Sequence, residues 1–191
     1  MNRGPYWKNT WNKKARLGGS ARFINGHDSS VGGCPNSESD LKRIADYIIS
    51  FFSELKGRPS VLEVGCGAGA LAPYFTNKCD YIAIDYCEGM VKRHIAEFNN
   101  SVICSEANDI PFKDKYFDYS FSFSVFHYFP DVQYASKTIA EMKRVTKKRI
   151  FVGDLPISSH DDNHLLYKKN FFEGKTEDSF LNPNRFDVFY D

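Results

Sequence analysis

The sequence has no excess of charge of either sign: 25 Lys and Arg stand against 24 Asp and Glu in 191 residues. That balance excludes the overall basic field that draws a protein to nucleic acid. No apolar run approaches the ~18 residues of a membrane span, so no membrane partner is expected. The opening, Met-Asn-Arg-Gly-Pro-Tyr-Trp-Lys, lacks an apolar stretch of secretory type, and no signal peptide is expected. The five cysteines are odd in number and show no C-x-x-C spacing. Reduced thiols in a cytoplasmic protein are the expectation. There is no internal repeat and no long linker, and the length suits one domain burying about 70% of its unfolded surface. What is abundant is aromatic: 17 Phe and 11 Tyr, enough for packed cores and a ring-lined pocket.

The stretch that organises the chain is Ser60–Ala70, S-V-L-E-V-G-C-G-A-G-A. Val61, Leu62 and Val64 read as a strand. Gly65, Gly67 and Gly69 follow at alternate positions, and a helix starts at once with Pro73 in its first turn, where a missing N–H costs nothing. Strand, glycine turn and helix open a nucleotide-binding α/β domain. The glycines let the backbone turn sharply and approach a ligand. The helix N-terminus adds N–H groups and a partial positive charge. Gly65–Ala70 also fits the G-x-G-x-x-A dinucleotide fingerprint, with Asp85 at its acidic position about twenty residues on. A nicotinamide-dependent oxidoreductase is therefore one alternative.

Around this turn the chain alternates. Ser37–Leu55 reads as a helix, with Ser37 and Asp40 as a capping box and Leu41, Ile44, Ile48, Phe52 and Leu55 as its core stripe. Gly57 and Pro59 stop it. Then come helix 71–77, strand 81–85, helix 88–98 with Val91, Ile95 and Phe98 on one face, strand 101–105 and strand 119–124. Asp131 caps a helix whose buried stripe is expected at Val132, Ala135, Ile139 and Met142, and Arg149–Gly153 is a fifth strand. The cations from Lys143 to Arg149 suit a helix C-terminus or a solvated face better than a basic groove. Strands alternating with helices imply an α/β, Rossmann-like, doubly wound and mostly parallel sheet in a three-layer αβα arrangement. Ligands then gather at the C-terminal ends of the strands. That brings together the Gly65 turn, Asp85, Asp109, Ser122–His127 and Asp154.

Glu63, the three alternate glycines, the acid ending the second strand, Asn108-Asp109-Ile110-Pro111-Phe112 and Phe117-Asp118 together resemble class I methyltransferases that depend on S-adenosylmethionine (SAM). The resemblance covers roughly residues 40–155. It implies transfer of a methyl group from SAM, leaving S-adenosylhomocysteine, to O or N of a small molecule. It implies that Asp85 grips the ribose diol and that Tyr86 and Met90 flank the adenine. Asp109 would take the adenine amino group, the Ile110 N–H a ring nitrogen, and Asn108 stands beside them. The backbones of Gly65, Cys66 and Gly67 would approach the methionine part, the Ser122 carbonyl its ammonium, and Glu63 would orient the glycine turn. The Asn-Pro-Pro-Tyr type of signature found in amino methyltransferases of DNA or glutamine is absent; Ser122-Phe123-Ser124-Val125 stands there instead.

His127 is the candidate base, with the wall of the pocket as its other reading, and Tyr128 could orient the acceptor. Residues 1–36 look irregular, punctuated by glycine and proline, and form either a solvated arm or a lid over residues 37–191, the SAM-binding domain. As a lid, its Arg16 and Arg22 would favour an anionic acceptor or the cofactor's carboxylate. No metal is expected, although His160 and His164 stand one helical turn apart. After Pro156 the chain offers a helix-like stretch at 164–172 and one strand at 186–190, too little for the final strand pair of the family. Either the sheet is shortened, the chain is cut, or a partner chain or a homodimer completes it. The rivals are an RNA methyltransferase using the basic arm and a catalytically silent SAM-binding subunit.

Overall fold

The computed structural model describes residues 4–25, 37–52, 57–155 and 189–190; the side chains of residues 4–6, Phe23, His127 and 189–190 lie outside that description. Helix α1 is Gly4–Lys14, α2 is Ala21–Ile24 and α3 is Glu38–Phe51. Strand β1 is Ser60–Val64, followed by α4, Ala72–Phe75, then β2, Asp80–Asp85, and α5, Glu88–Phe98. Strands β3, Ser101–Cys104, and β4, Phe117–Phe123, precede a 3-10 turn at Phe126–Tyr128. Helix α6 is Val132–Val145, β5 is Thr146–Gly153 and β6 is Phe189–Tyr190.

The six strands form one sheet in the order β3-β2-β1-β4-β5-β6. β1 to β5 pair in parallel and β6 runs antiparallel to β5. The order reverses beside β1, so β1 and β4 flank the switch point at which such sheets bind ligands. Side chains alternate across the sheet, as the strand period requires. Val61, Tyr119, Phe121 and Phe151 join the helical residues Leu41, Ile44, Phe52 and Phe75 in one core. Leu62, Val64, Ile150 and Val152 join Met142 and Val145 in the other.

The capping box of α3 is present: the Ser37 hydroxyl accepts from Asp40 N–H and the Asp40 carboxylate accepts from Ser37 N–H. Its stripe of Leu41, Ile44, Ile48 and Phe52 is buried, and Leu55 lies outside the described residues. Two helical faces differ from expectation. In α5 the buried residues are Met90, Val91 and His94, while Ile95 is 40% exposed, because the helix turns His94 inward against Tyr81 and Phe98. In α6 the buried residues are Thr138, Met142 and Val145, while Val132 is 76% exposed at the first helical position, ahead of the contact with the sheet. Thr138 is accommodated because its hydroxyl donates to the Tyr134 carbonyl.

β5 begins at Thr146, so Lys147, Lys148 and Arg149 lie on a strand rather than at a helix end. The two lysines approach Asp118, and the Arg149 guanidinium covers the Phe51 ring. They are separate surface contacts. The N-terminal arm also departs from expectation, since residues 4–14 are helical. Pro5 falls in the first turn, where it is tolerated. One turn apart, Trp7 and Trp11 both rest edge-on against Tyr128, at 4.9 and 5.2 Å between ring centroids. Among the described residues no helix is long and apolar enough to cross a membrane. The expected helix at 164–172 and the His160–His164 pair lie outside the described residues.

Candidate active site

At the switch point the tips of β1, β2 and β4 surround a cavity of about 610 Å³. Gly65 and Gly67 line it from the turn after β1, Asp85 and Tyr86 from the end of β2, and Phe123, Ser124 and Val125 from the end of β4. Helix α5 contributes Met90, and the loop after β3 contributes Ser105 to Asn108. The arm adds Lys8, Trp11 and Asn25.

The glycine turn is closed by its own hydrogen bonds. The Gly65 and Cys66 N–H groups donate to the Ile84 carbonyl, and Gly69 N–H donates to the Cys66 carbonyl. Gly67 N–H donates to Asp85 Oδ2 at 2.8 Å, and Ala68 N–H donates to Asn25 Oδ1 at 2.6 Å. A pyrophosphate would need those N–H groups, and each is already used. This speaks against a dinucleotide.

Asp85 is 7% exposed, and its second oxygen accepts from Cys87 N–H at 2.8 Å. Burial pushes its carboxyl up to about 6, against the pull of the two N–H donors. An ionised carboxylate has about four acceptor positions, so two remain for a ligand's diol. The carboxylate of Glu106 lies at the cavity as well, taking the Tyr134 hydroxyl at 2.7 Å and the Lys8 ammonium at 3.8 Å. Two acids against one paired cation suit a cofactor carrying a sulfonium and an ammonium. The residues present fit SAM on charge, on hydrogen-bonding capacity and on volume.

Of the residues singled out in the sequence, Gly65, Gly67, Asp85, Tyr86, Met90, Asn108 and Tyr128 line the cavity. Asp109, Ile110, Cys66 and Ser122 do not. Asp109 is exposed, and the Ile110 N–H is held by Glu141 Oε2 at 2.9 Å, which leaves none for a ring nitrogen. Arg144 fastens the same loop, donating to the Ile110 and Phe112 carbonyls. Of the two acids in this loop, Glu106 lines the cavity and Asp109 does not. Ser122 is fully buried within the sheet, and Phe123 and Ser124 reach the cavity in its place. Cys66 is buried on the core side of the turn, where burial pushes its thiol up. Arg16 and Arg22 line no part of the cavity, so the case for an anionic acceptor loses its two cations. His127 stands in the 3-10 turn beside Tyr128, its side chain outside the described ones. Burial, with the charge of Asp154, pushes the Tyr128 hydroxyl up to about 12, so it stays a hydrogen-bond donor at neutral pH.

Behind the turn, Glu63 accepts from the Tyr81 hydroxyl, the Tyr81 ring stacks on His94, and His94 lies against Gly69. Glu63 is thus joined to the turn through two rings rather than directly. Sequence reasoning missed Glu106, Asn25 and His94. The first was legible as the acid right after the end of β3. Asn25 gave no local signal, since its partners are remote in sequence, and His94 was hidden by its polarity on a core-facing side of α5.

His94 is fully buried and held neutral, its imidazolium pushed down to about 4 by burial. Its folded value lies below its unfolded one, so the unfolded chain takes the proton first and stability falls with pH between about 6.5 and 4. Glu63 and Asp85, both raised by burial, act in the opposite direction over their own ranges. The difference between wild type and His94→Gln isolates the imidazole. Relative to the variant, the wild type should lose roughly 2 kcal/mol between pH 7 and pH 5, measured by urea unfolding. Equal losses in both proteins would show that His94 titrates normally.

Residues 62–151 match the family model described as a methyltransferase domain. The fold that carries them is that of SAM-dependent methyltransferases of known structure. The Synechocystis magnesium protoporphyrin IX methyltransferase, solved with SAM, has the same fold at a TM-score of 0.61 and 15% identity, over 88% of this chain and 86% of its own. A Methanococcus maripaludis protein named as a putative SAM-dependent methyltransferase superposes at 0.58 with 19% identity, over 85% and 74%. By sequence, the chain is 30% identical over 108 residues to a human protein named as a probable tRNA methyltransferase 9B, covering 56% of this chain and 23% of that one. It is 23% identical over 137 residues to the Arabidopsis tRNA (carboxymethyluridine(34)-5-O)-methyltransferase, covering 71% and 33%. The chain thus spans no more than a third of the length of these relatives.

Proposed function

We propose that this chain transfers a methyl group from SAM to O or N of a small molecule. The observation that carries the acceptor class is the roof of the cavity. Lys8, Trp11 and Asn25 of the arm line the same space as Gly65 and Asp85, so the arm acts as a lid over a confined site. When bound, SAM supplies a methyl carbon already activated by its sulfonium, and the protein's share is chiefly alignment.

Asp85 is held by two N–H donors with its free acceptor positions toward the sugar. Glu106 takes the adenine amino group, fixed by Tyr134 and Lys8. Tyr86, Met90, Val125 and Phe129 supply apolar walls. The backbones of Gly65 and Gly67 meet the methionine part. Tyr128 orients the acceptor, and His127 takes its proton where the acceptor is a hydroxyl or a charged amine. Glu106→Gln should weaken S-adenosylhomocysteine binding about tenfold, the loss of one charge-assisted hydrogen bond, while Asp109→Asn leaves it unchanged. The reverse pattern in calorimetry would return the adenine contact to Asp109.

A second reading, methylation of an RNA nucleoside, is supported by the two tRNA methyltransferase relatives. Turnover by the purified chain, offered a small-metabolite extract and bulk tRNA separately, separates the two. Turnover on the extract supports the small-molecule reading. Turnover on tRNA alone, with binding that weakens steeply with salt, would replace it.

A further inference from the structure

The N-terminal arm does more than cover the cavity. Two of its asparagines fit two glycines of the domain. The Asn25 carboxamide spans the glycine turn: Oδ1 accepts from Ala68 N–H at 2.6 Å and Nδ2 donates to the Cys66 carbonyl at 3.3 Å. Gly67 lies between those two residues, and a Cβ there would fall 2.6 Å from Asn25 Oδ1. Asn12 makes the second contact. Its Oδ1 accepts from Gly89 N–H at 3.1 Å, one of the N–H groups that the first turn of α5 leaves without an intrahelical partner. A Cβ at Gly89 would fall 2.8 Å from Asn12 Oδ1 and 3.0 Å from Ala15 Cβ.

Between these points the arm is seated on α5. The Arg93 guanidinium donates to the Leu17 and Gly19 carbonyls, and Ala21 N–H donates to Glu97 Oε1 at 3.3 Å. Ala21 and Ile24 are buried against Ala68, Cys87 and Met90. The arm is therefore attached to the same two elements that hold Asp85: the turn that gives it Gly67 N–H and the start of α5 that gives it Cys87 N–H.

We propose that Asn25 and Asn12 latch the arm onto the glycine turn and helix α5, so that arm docking and cofactor binding strengthen each other. Asn25 is a positioning residue: it fixes the carbonyl and the N–H on either side of Gly67, and so fixes the peptide that bonds Asp85. The inference rests on the cofactor reading of the cavity. Linkage makes the coupling reciprocal: the factor by which a docked arm raises cofactor affinity is the factor by which bound cofactor favours docking, so a variant that leaves the arm undocked must weaken the cofactor.

Gly89→Ala tests this cleanly. Gly89 and Asn12 line no part of the cavity, and alanine is the better helix former, so the variant disturbs the arm while leaving α5 intact. The readouts are the affinity for S-adenosylhomocysteine by calorimetry and the rate of tryptic cleavage after the exposed Lys13 and Arg16, with and without that ligand. In the wild type the ligand should slow cleavage. In Gly89→Ala, and again in Asn12→Ala, cleavage should be faster and affinity should fall about fivefold or more, the range of ordinary coupling. Asn25→Ala should do both more strongly. Affinity equal to wild type in a variant whose arm is cleaved faster overturns the coupling. Cleavage unchanged in both Gly89→Ala and Asn12→Ala overturns the latch itself. A wild-type chain that binds no S-adenosylhomocysteine overturns the cofactor reading beneath the proposal, a result distinct from either.

Discussion

Replacing Asp85 with alanine is expected to lower the affinity for S-adenosylhomocysteine on the order of a hundredfold, while changing the stability of the free protein much less. The affinity term is the loss of hydrogen bonds from the ligand to a charged acceptor, ~1.5–3 kcal/mol each before compensation. The stability term has two parts of opposite sign. Removing the carboxylate leaves Gly67 N–H and Cys87 N–H without their partner. It also relieves the burial that pushes the group up to about 6, which makes its charge a cost to the unliganded fold at neutral pH. Calorimetry and urea unfolding on one preparation separate the terms. A large loss of affinity with a small loss of stability identifies Asp85 as a ligand-binding group. Parallel losses would make it a structural strut between β2 and the glycine turn, and unchanged affinity would remove it from the sugar.

Gly69→Ala carries the largest expected effect on stability. Its φ of +92° lies where side chains are strained, and its Cβ would come within 2.9 Å of His94 Cε1 and Nε2 and of Phe98 Cε2. Both rings are packed: His94 stacks on Tyr81, and Phe98 meets His94 edge-on. Backbone strain of about 1–2 kcal/mol and overpacking of about 1–3 kcal/mol sum to roughly 3 kcal/mol, a large part of a domain's total. His94→Ala removes one of the two rings the new Cβ would strike and none of the strain. The Gly69→Ala, His94→Ala double variant should therefore be more stable than the two single losses added together. Strict additivity in urea unfolding would show that the turn does not rest on His94.

What the sequence disclosed and what it withheld follow from how far apart the partners stand. The Ser37 capping box, the stripe of α3, the strands beside the glycine turn and Asp85 at the tip of β2 are all local patterns, and each is present. The parallel order follows from the alternation of strands and helices. Periodicity did not show where a helix first touches the sheet, so Val132 and Ile95 were placed inside when they are exposed. It also passed over His94, because a polar residue scores against a core face even when it is buried. Which acid of the loop after β3 lines the cavity is also not legible locally, because Asp109 and Glu106 share one loop. The choice between them is made by Glu141, 31 residues beyond Ile110, and by Tyr134, 28 residues beyond Glu106. In the arm, glycine and proline concealed the one-turn spacing of Trp7 and Trp11. Asn25 had no signal at all, since its partners lie more than 40 residues away.

The roles of Asp85 and Glu106 depend on which cofactor enters the cavity at the tips of β1, β2 and β4. Calorimetric titration of the purified chain with S-adenosylhomocysteine, and separately with a nicotinamide dinucleotide, decides it. Saturable binding of the first, lost with Asp85→Ala, and no heat from the second is the predicted result. Binding of the dinucleotide without binding of S-adenosylhomocysteine would contradict it.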